Sequence, residues 1–171
     1  DLVSSRGLGD VYKRQGVFLV VLLDLFVKYA IEIFDWGIKP TSIFHHLIIS
    51  KTYNKGLFFG IAHSDSLIVN YSLILLMTLV ILILIFYISK LLNENKCVSR
   101  LSKVSWIMLL GGGIANYIDR VIDNKVTDYI ILHYNEYYFP GIFNIADVFI
   151  SLAFILIIID TLISNEKENR I

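Results

Sequence analysis

The chain is short of several things. It has one cysteine, Cys97, two prolines, at positions 40 and 140, and no excess of either charge, with 15 Lys and Arg against 15 Asp and Glu in 171 residues. A single thiol excludes an intrachain disulfide and any multi-cysteine metal site. Cys97 lies among Lys96, Arg100 and Lys103; a basic neighbourhood lowers a thiol pKa in principle. No acid or base stands beside it to make a catalytic pair, so it reads as an ordinary reduced thiol. The neutral balance provides no basic stripe, which argues against a nucleic-acid partner. His45 and His46 are adjacent but lack a ligand-spaced third residue, so neither a metal nor another cofactor is expected. No repeat, low-complexity tract or proline-rich linker divides the chain, and one domain is expected. Charge itself is scarce: 18% of residues are charged and 56% hydrophobic, with mean hydropathy +0.68. That is too apolar for a soluble domain of this length and points to a membrane protein.

What is present is four apolar runs, at about 17–34, 67–89, 104–122 and 145–163. Each is close to the ~20 residues a helix needs to cross a ~30 Å hydrocarbon core, and helices satisfy their own backbone groups in lipid. Residues 1–15 lack periodicity and an initiator Met and are expected to be a non-native or disordered leader. Residues 16–164 then form a single integral membrane domain, with 165–171 as a cytoplasmic tail. Lys90, Lys96, Arg100 and Lys103 against a single Glu94 mark the loop between the second and third runs as cytoplasmic. Both termini then face the cytoplasm, and segments 35–66 and 123–144 are external. The first of these is rich in β-branched and aromatic residues, with Asn54, Gly56 and Gly60 as turn punctuation. The second carries Tyr129, Tyr134, Tyr137, Tyr138 and Phe139, the aromatic type enriched at membrane interfaces. The expected fold is a membrane all-α protein of four transmembrane helices, with a small extracytoplasmic β-rich segment between helices 1 and 2.

The carboxylates come next. Asp128 follows the outer end of the third run and Asp147 opens the fourth, so antiparallel packing brings both to a similar depth near the external face. Two carboxylates in contact share a proton, one serving as base and the other as acid. Equally, Asp147 is placed to cap a helix or face water, although Asn144 just upstream is the better cap. Spacing alone decides neither. The third run, GGGIANYIDR, combines Gly111, Gly112 and Gly113, which permit close helix approach, with Asn116, Asp119 and Arg120 at i, i+3 and i+4. That polar stripe faces protein or water; it lines a pocket or forms a buried network, and the pattern leaves both open. Asp24 and Lys28 stand four apart in the first run and read best as an internal ion pair, since no serine sits beside Lys28 for serine–lysine catalysis. Asp160 snorkels or caps near the cytoplasmic end.

DLFVK at 24–28, NKGLFFG at 54–60, GGGIANYIDR at 111–120, VTDY at 126–129 and FNIAD at 143–147 resemble, in order and spacing, the motif set of the bacterial lipoprotein signal peptidases, the type II signal peptidases. The resemblance covers about residues 16–163. It implies a four-helix aspartic endopeptidase of the bacterial inner membrane, active near the external face. Such an enzyme cleaves prolipoproteins immediately before a diacylglyceryl-modified cysteine, as a monomer in the lipid bilayer and with no cofactor. The resemblance places the catalytic pair on Asp128 and Asp147, and substrate binding or site support on Asp24, Lys28, Asn54, Gly56, Asn116, Arg120, Asn144 and Ala146, with a more structural part for Asp119. Ala115, Tyr129 and Leu25 depart from the family's usual Gly, Phe and polar residue at those places. The external segments 35–66 and 129–139 would close over the site.

Two other classes compete. A transport or channel-like protein would use Asp24, Lys28, Asp119, Arg120 and Asp147 as a polar relay through the bundle, although the inverted repeat common among transporters is missing. A structural membrane subunit would bind a partner helix through the Gly111 to Gly113 face.

Overall fold

The computed structural model describes residues 2–56, 66–93 and 99–168. Gly60, Glu94, Lys96 and Cys97, and the last four residues of the NKGLFFG motif, lie outside the described residues. Among the described residues there are four helices: α1 (Leu2–Ile33), α2 (Leu67–Asn93), α3 (Arg100–Asp123) and α4 (Ile145–Glu168). Between them run four strands: β1 (Thr41–Phe44) and β2 (Leu47–Asn54) after α1, then β3 (Val126–Tyr134) and β4 (Tyr137–Tyr138) after α3.

The helices lie where the apolar runs predict, with longer ends. α1 runs back to Leu2, where a structureless leader was expected; once a stable helix exists, each further residue adds a hydrogen bond without a new nucleation cost. α3 starts at Ser99, whose hydroxyl accepts from the Ser102 amide at 2.9 Å. It stops at Asn124, which adopts a left-handed φ of 55° and donates its N–H to the Arg120 carbonyl at 3.0 Å. Asn tolerates that conformation better than most residues, and the reversal sends the chain directly into β3.

α3 is the centre of the bundle, with α1, α2 and α4 packed on it. Glycine makes two of these approaches possible. A Cβ on Gly111 would meet Val20 of α1 at 2.7 Å, and one on Gly112 would meet the Ala146 carbonyl of α4 at 2.7 Å, while Gly113 faces open space.

The usual inside–outside order is inverted. The tight apolar cluster is small (Val21, Ala115, Ala146), whereas Asp24 is 0% exposed, Lys28 5% and Arg120 6%. Large apolar residues such as Leu82, Ile83 and Phe86 of α2 and Phe154, Ile158 and Leu162 of α4 are exposed. Charged groups are almost never fully buried unless paired, and apolar exposure on this scale exceeds what a soluble monomer carries; apolar residues outside and paired charges inside suit a bilayer as solvent. Among the described residues two helices are long and apolar enough to cross a membrane, Leu67–Lys90 and Ile145–Asn165. α1 and α3 are interrupted by their inward-facing charges.

The strands form one antiparallel sheet in the order β1-β2-β3-β4. The β structure is therefore not confined to the segment between the first two helices: half of its strands come from the second external segment. Val126–Tyr134 is dominated by β-branched, aromatic and leucine residues, and pairing against β2 and β4 satisfies its backbone as well as its side chains. With bonded neighbours on both sides, β3 is a fixed wall of the molecule. β2 and β3 pair Ile49 with Ile130, then shift register by one residue before pairing Thr52 with Asp128. This bulge tightens the local twist.

The sheet is fastened to the end of α1. The Tyr53 hydroxyl donates to Glu32 Oε1 at 2.8 Å, Lys51 Nζ lies 3.4 Å from Glu32 and 3.6 Å from Asp35, and Lys125 Nζ sits 3.4 Å above the Tyr53 ring.

Candidate active site

Where α3, the start of α4 and the first half of β3 meet, the polar residues converge. The α4 N-terminus is closed by a reciprocal pair: the Asn144 Oδ1 accepts from the Asp147 amide at 2.9 Å, and Asp147 Oδ2 accepts from the Asn144 amide at 3.3 Å. This is the arrangement of a capping box, with Asn at the cap and an acid three residues on. Asp147 is thus part of the cap, and its second oxygen, Oδ1, accepts from Asn116 Nδ2 of α3 at 2.9 Å.

Asp128 arrives from β3 and is buried, 3% exposed. Its Oδ1 accepts from Asn144 Nδ2 at 2.7 Å and its Oδ2 from Asn54 Nδ2 of β2 at 3.0 Å. Asn144 Nδ2 also donates to Asn116 Oδ1 at 3.0 Å. The two carboxylates are thus joined by the chain Asp128, Asn144, Asn116, Asp147. Burial, and then the charge of Asp147, push the Asp128 carboxyl up to about 7, and the amide donors of Asn54 and Asn144 only partly offset this. A carboxyl poised there can keep or release a proton near neutrality.

Behind the pair lies an ionic brace. Lys28 Nζ is 2.6 Å from Asp24 and 2.8 Å from Asp119, and donates to Asn116 Oδ1 at 2.9 Å. Two ion pairs and one hydrogen bond thus tie Lys28 of α1 to its own Asp24 and to Asn116 and Asp119 of α3. Asp24 Oδ1 also accepts from the Ala146 amide at 2.8 Å, giving α4 a second N-terminal tether. The brace locks Asn116: its oxygen faces Lys28 and Asn144, leaving its NH₂ for Asp147.

Arg120 lies on the sheet side. Its Nη2 donates to the Gly56 carbonyl, and the Gly56 amide donates to Asn54 Oδ1 at 2.9 Å. Arg120 and Gly56 therefore hold the turn that presents Asn54 to Asp128.

All ten site residues named from the sequence, Asp24, Lys28, Asn54, Gly56, Asn116, Arg120, Asp128, Asn144, Ala146 and Asp147, fall in this one connected cluster, together with Asp119. Others stay apart. His45 and His46 stack with His133, Tyr134 and Tyr138 at the opposite end of the sheet, and among the described residues no group of His, Cys, Asp or Glu is arranged to hold a metal. Asp160 accepts from the Ser99 hydroxyl at 2.6 Å and pins the start of α3 to α4.

Two features had no signal in the spacing. Tyr129 is 2% exposed; burial, with the nearby charge of Asp24, raises its phenol further above the usual range. Beside Asp147 a cleft of about 210 Å³ opens, lined otherwise by Leu132, Phe139, Phe143, Val148, Ser151 and Leu152. A larger cavity of about 490 Å³, around Trp36, Ile38, Ile43 and Ile49, contains none of the site residues.

Comparison with known proteins identifies the chain's relatives. Residues 16–163 match the family model described as signal peptidase (SPase) II. The chain is 35% identical over 161 residues to a lipoprotein signal peptidase of Clostridium tetani, covering 90% of this chain and 94% of that one. It is 35% identical over 150 residues to one of Bartonella henselae, with 87% of each covered, and 30% identical over 141 residues to one of Blochmanniella pennsylvanica, with 82% of each covered. Two solved structures, both described as a bacterial membrane enzyme obtained by the in meso method, superpose on it. One has a TM-score of 0.77 at 25% identity, covering 91% of this chain and 90% of that one; the other has 0.72 at 26%, covering 88% and 92%.

Proposed function

Because the chain belongs to the signal peptidase II family, we propose that it is an integral membrane peptidase that removes signal peptides from prolipoproteins by means of an aspartate dyad, Asp128 and Asp147. It cuts immediately before the diacylglyceryl-modified cysteine. The observation that carries the dyad is the asparagine chain linking the two carboxylates, each oriented by amide donors at 2.7–3.3 Å.

The dyad shares one proton, and the apparent pKa values belong to the pair. The ionised carboxyl takes a proton from a water while the protonated one donates to the scissile carbonyl oxygen. The water oxygen bonds to the carbonyl carbon, giving a tetrahedral diol. One carboxyl then gives a proton to the amide nitrogen while the other takes one from a diol hydroxyl, and the C–N bond breaks, releasing the signal peptide's carboxyl and the amine of the lipidated cysteine. No covalent intermediate is needed. Asn54, Asn116 and Asn144 hold the carboxyls in place, and Arg120 holds Asn54.

In the same reading residues 16–164 form one membrane domain, and all four helices cross the bilayer of a bacterial inner membrane. The basic loop between α2 and α3 and both termini lie in the cytoplasm, the sheet and dyad at the external face. The substrate enters laterally from the lipid, and the enzyme works as a monomer. A transport relay is disfavoured by the closed brace, in which Lys28 is ion-paired to Asp24 and Asp119 and hydrogen-bonded to Asn116.

The test is cleavage of a lipidated prolipoprotein by purified protein, compared with folded Asp128→Asn and Asp147→Asn variants. Each variant should lose roughly 10²–10⁴-fold in turnover, the scale of general acid–base catalysis. Full activity in either would remove the dyad assignment, and equal turnover of an unlipidated precursor would remove the substrate assignment.

A further inference from the structure

Tyr53 and Asn54 are neighbours at the end of β2 with separate surroundings. Asn54 pairs with Val126 and Tyr53 with Thr127, while Thr52 stands opposite Asp128. Successive residues of a strand face opposite sides of the sheet, so Asn54 shares the face of Asp128 and Tyr53 lies on the other. On that far face three elements meet at one phenol. Its hydroxyl donates to Glu32 of α1, at 2.8 Å to Oε1 and 3.1 Å to Oε2. Lys125, one residue before β3, sets its Nζ 3.4 Å over the ring.

We infer that Glu32, Tyr53 and Lys125 form a positioning clamp that fixes the backbone at Asn54, and with it the amide donor on Asp128 Oδ2, so that residues touching neither carboxyl set the geometry of the pair. The inference rests on the proposed dyad of Asp128 and Asp147. Little stability is held in the clamp itself. Glu32 is 52% exposed, so without the phenol its carboxylate returns to water, and solvent-facing polar pairs contribute little. The donor it positions matters more. Asp128 is buried, and a hydrogen bond to a buried carboxylate favours the ionised form. Asn54 supplies one of the bonds that offset burial and the charge of Asp147. Displacing Asn54 weakens that bond and raises the carboxyl further. The other charged groups around Asp128 are Asp147 of α4, Lys28 of α1 and Arg120 of α3, with the Tyr129 phenol next to it on β3. Around Tyr53 stand Glu32, Lys51, Asp123 and Lys125. Tyr53→Phe changes none of these charges, and the bond to Glu32 raises the Tyr53 phenol above its usual range, so it stays protonated near neutrality.

The experiment uses the full chain in lipid and a lipidated prolipoprotein, with kcat and KM measured from pH 5 to 9 and Tm recorded for each variant. Tyr53→Phe keeps the ring under Lys125 and loses only the bond to Glu32. It should lower kcat by about tenfold with KM within about twofold, inside the ~10²-fold that a misplacement of about 1 Å can cost. It should also move the alkaline limb of kcat up by about half a pH unit, part of the ~1 unit expected when Asn54→Ala removes the bond outright. Because the clamp acts through Asn54, the double variant should match Asn54→Ala alone. Glu32→Gln still offers the phenol an oxygen and should move the limb less than Glu32→Ala; this pair decides if Tyr53→Phe does not fold. A merely structural tie would lower Tm and leave the limb in place. An unmoved limb, or effects of Tyr53→Phe and Asn54→Ala that add in the double variant, would overturn the inference. Asp128→Asn measured alongside separates the two levels: its inactivity with an unmoved limb in Tyr53→Phe removes only the clamp, whereas its full activity removes the dyad.

Discussion

Asn144 Nδ2 donates to Asn116 Oδ1 at 3.0 Å, and each asparagine gives an amide proton to a different carboxylate: Asn144 to Asp128 at 2.7 Å and Asn116 to Asp147 at 2.9 Å. Neither amide can be flipped without setting donor against donor, so the orientation of both is determined by the network. The two carboxyls thereby share one rigid frame that reaches back through Lys28 to α1.

Replacing either asparagine should uncouple this frame. Asn144→Ala removes a helix cap, worth ~1 kcal/mol, together with a donor to buried Asp128. Thermal unfolding should register the first loss, and a fall of at least tenfold in kcat the second. Asn116→Ala should lower kcat with a smaller effect on the α4 cap, and equal losses of stability in the two variants would contradict this division.

Activity should depend on pH through Asp128. Its carboxyl is raised from the usual carboxylate range to about 7, so below about 7 the pair retains its shared proton and above it that proton leaves. kcat/KM should accordingly decline on the alkaline side. Stability has the same sign. The protonated carboxyl is favoured by folding, a contribution fully present below the unfolded value near 4 and lost as pH rises through about 7. Tm measured from pH 5 to 9 should fall with a slope that Asp128→Asn reduces.

The brace predicts an asymmetry. Lys28→Met leaves Asp24 and Asp119 buried without their cation, a loss on the order of 3–5 kcal/mol. Adding Asp24→Asn and Asp119→Asn in the same chain should restore much of that stability, which chemical or thermal unfolding in detergent would measure. If the triple variant is no more stable than Lys28→Met, Lys28 contributes through packing alone.

Neighbouring glycines should respond in opposite ways. A methyl at Gly112 would lie 2.7 Å from the Ala146 carbonyl, so Gly112→Ala must push the start of α4, and Asp147 with it, away from α3; kcat should fall. Gly113 faces nothing within 4 Å, and Gly113→Ala should keep activity while adding up to ~1 kcal/mol of helix stability. Parallel activity and Tm measurements on the two variants check both.

α2 and α4 were legible because long apolar runs leave little choice of structure, and the paired polar stripe of α3 marked it as facing inward. β3 was less so: its Tyr and Ile residues read equally as an interfacial aromatic belt, and only pairing with β2, more than seventy residues earlier, makes it a strand. Asp128 and Asp147 were visible as costly residues near helix ends. The frame that joins them was not visible, since Asn54, Asn116 and Asn144 lie on three separate elements and no local period relates them. Gly111, Gly112 and Gly113 look identical in sequence, yet one approaches α1, one approaches α4 and one approaches nothing. The cleft drew residues from 132 to 152 with no spacing signal at all.

The one-residue shift between β2 and β3 decides which side chain confronts Asp128. Continuing the register of Ile49 with Ile130 would have placed Lys51 opposite it; after the shift Thr52 stands there. An ammonium directly across the strand would have favoured the ionised carboxylate and stripped the pair of the proton it shares. The shift instead leaves Lys51 to Glu32 and Asp35, so a single inserted residue in β2, an interior strand of the sheet, keeps a cation from facing the carboxyl.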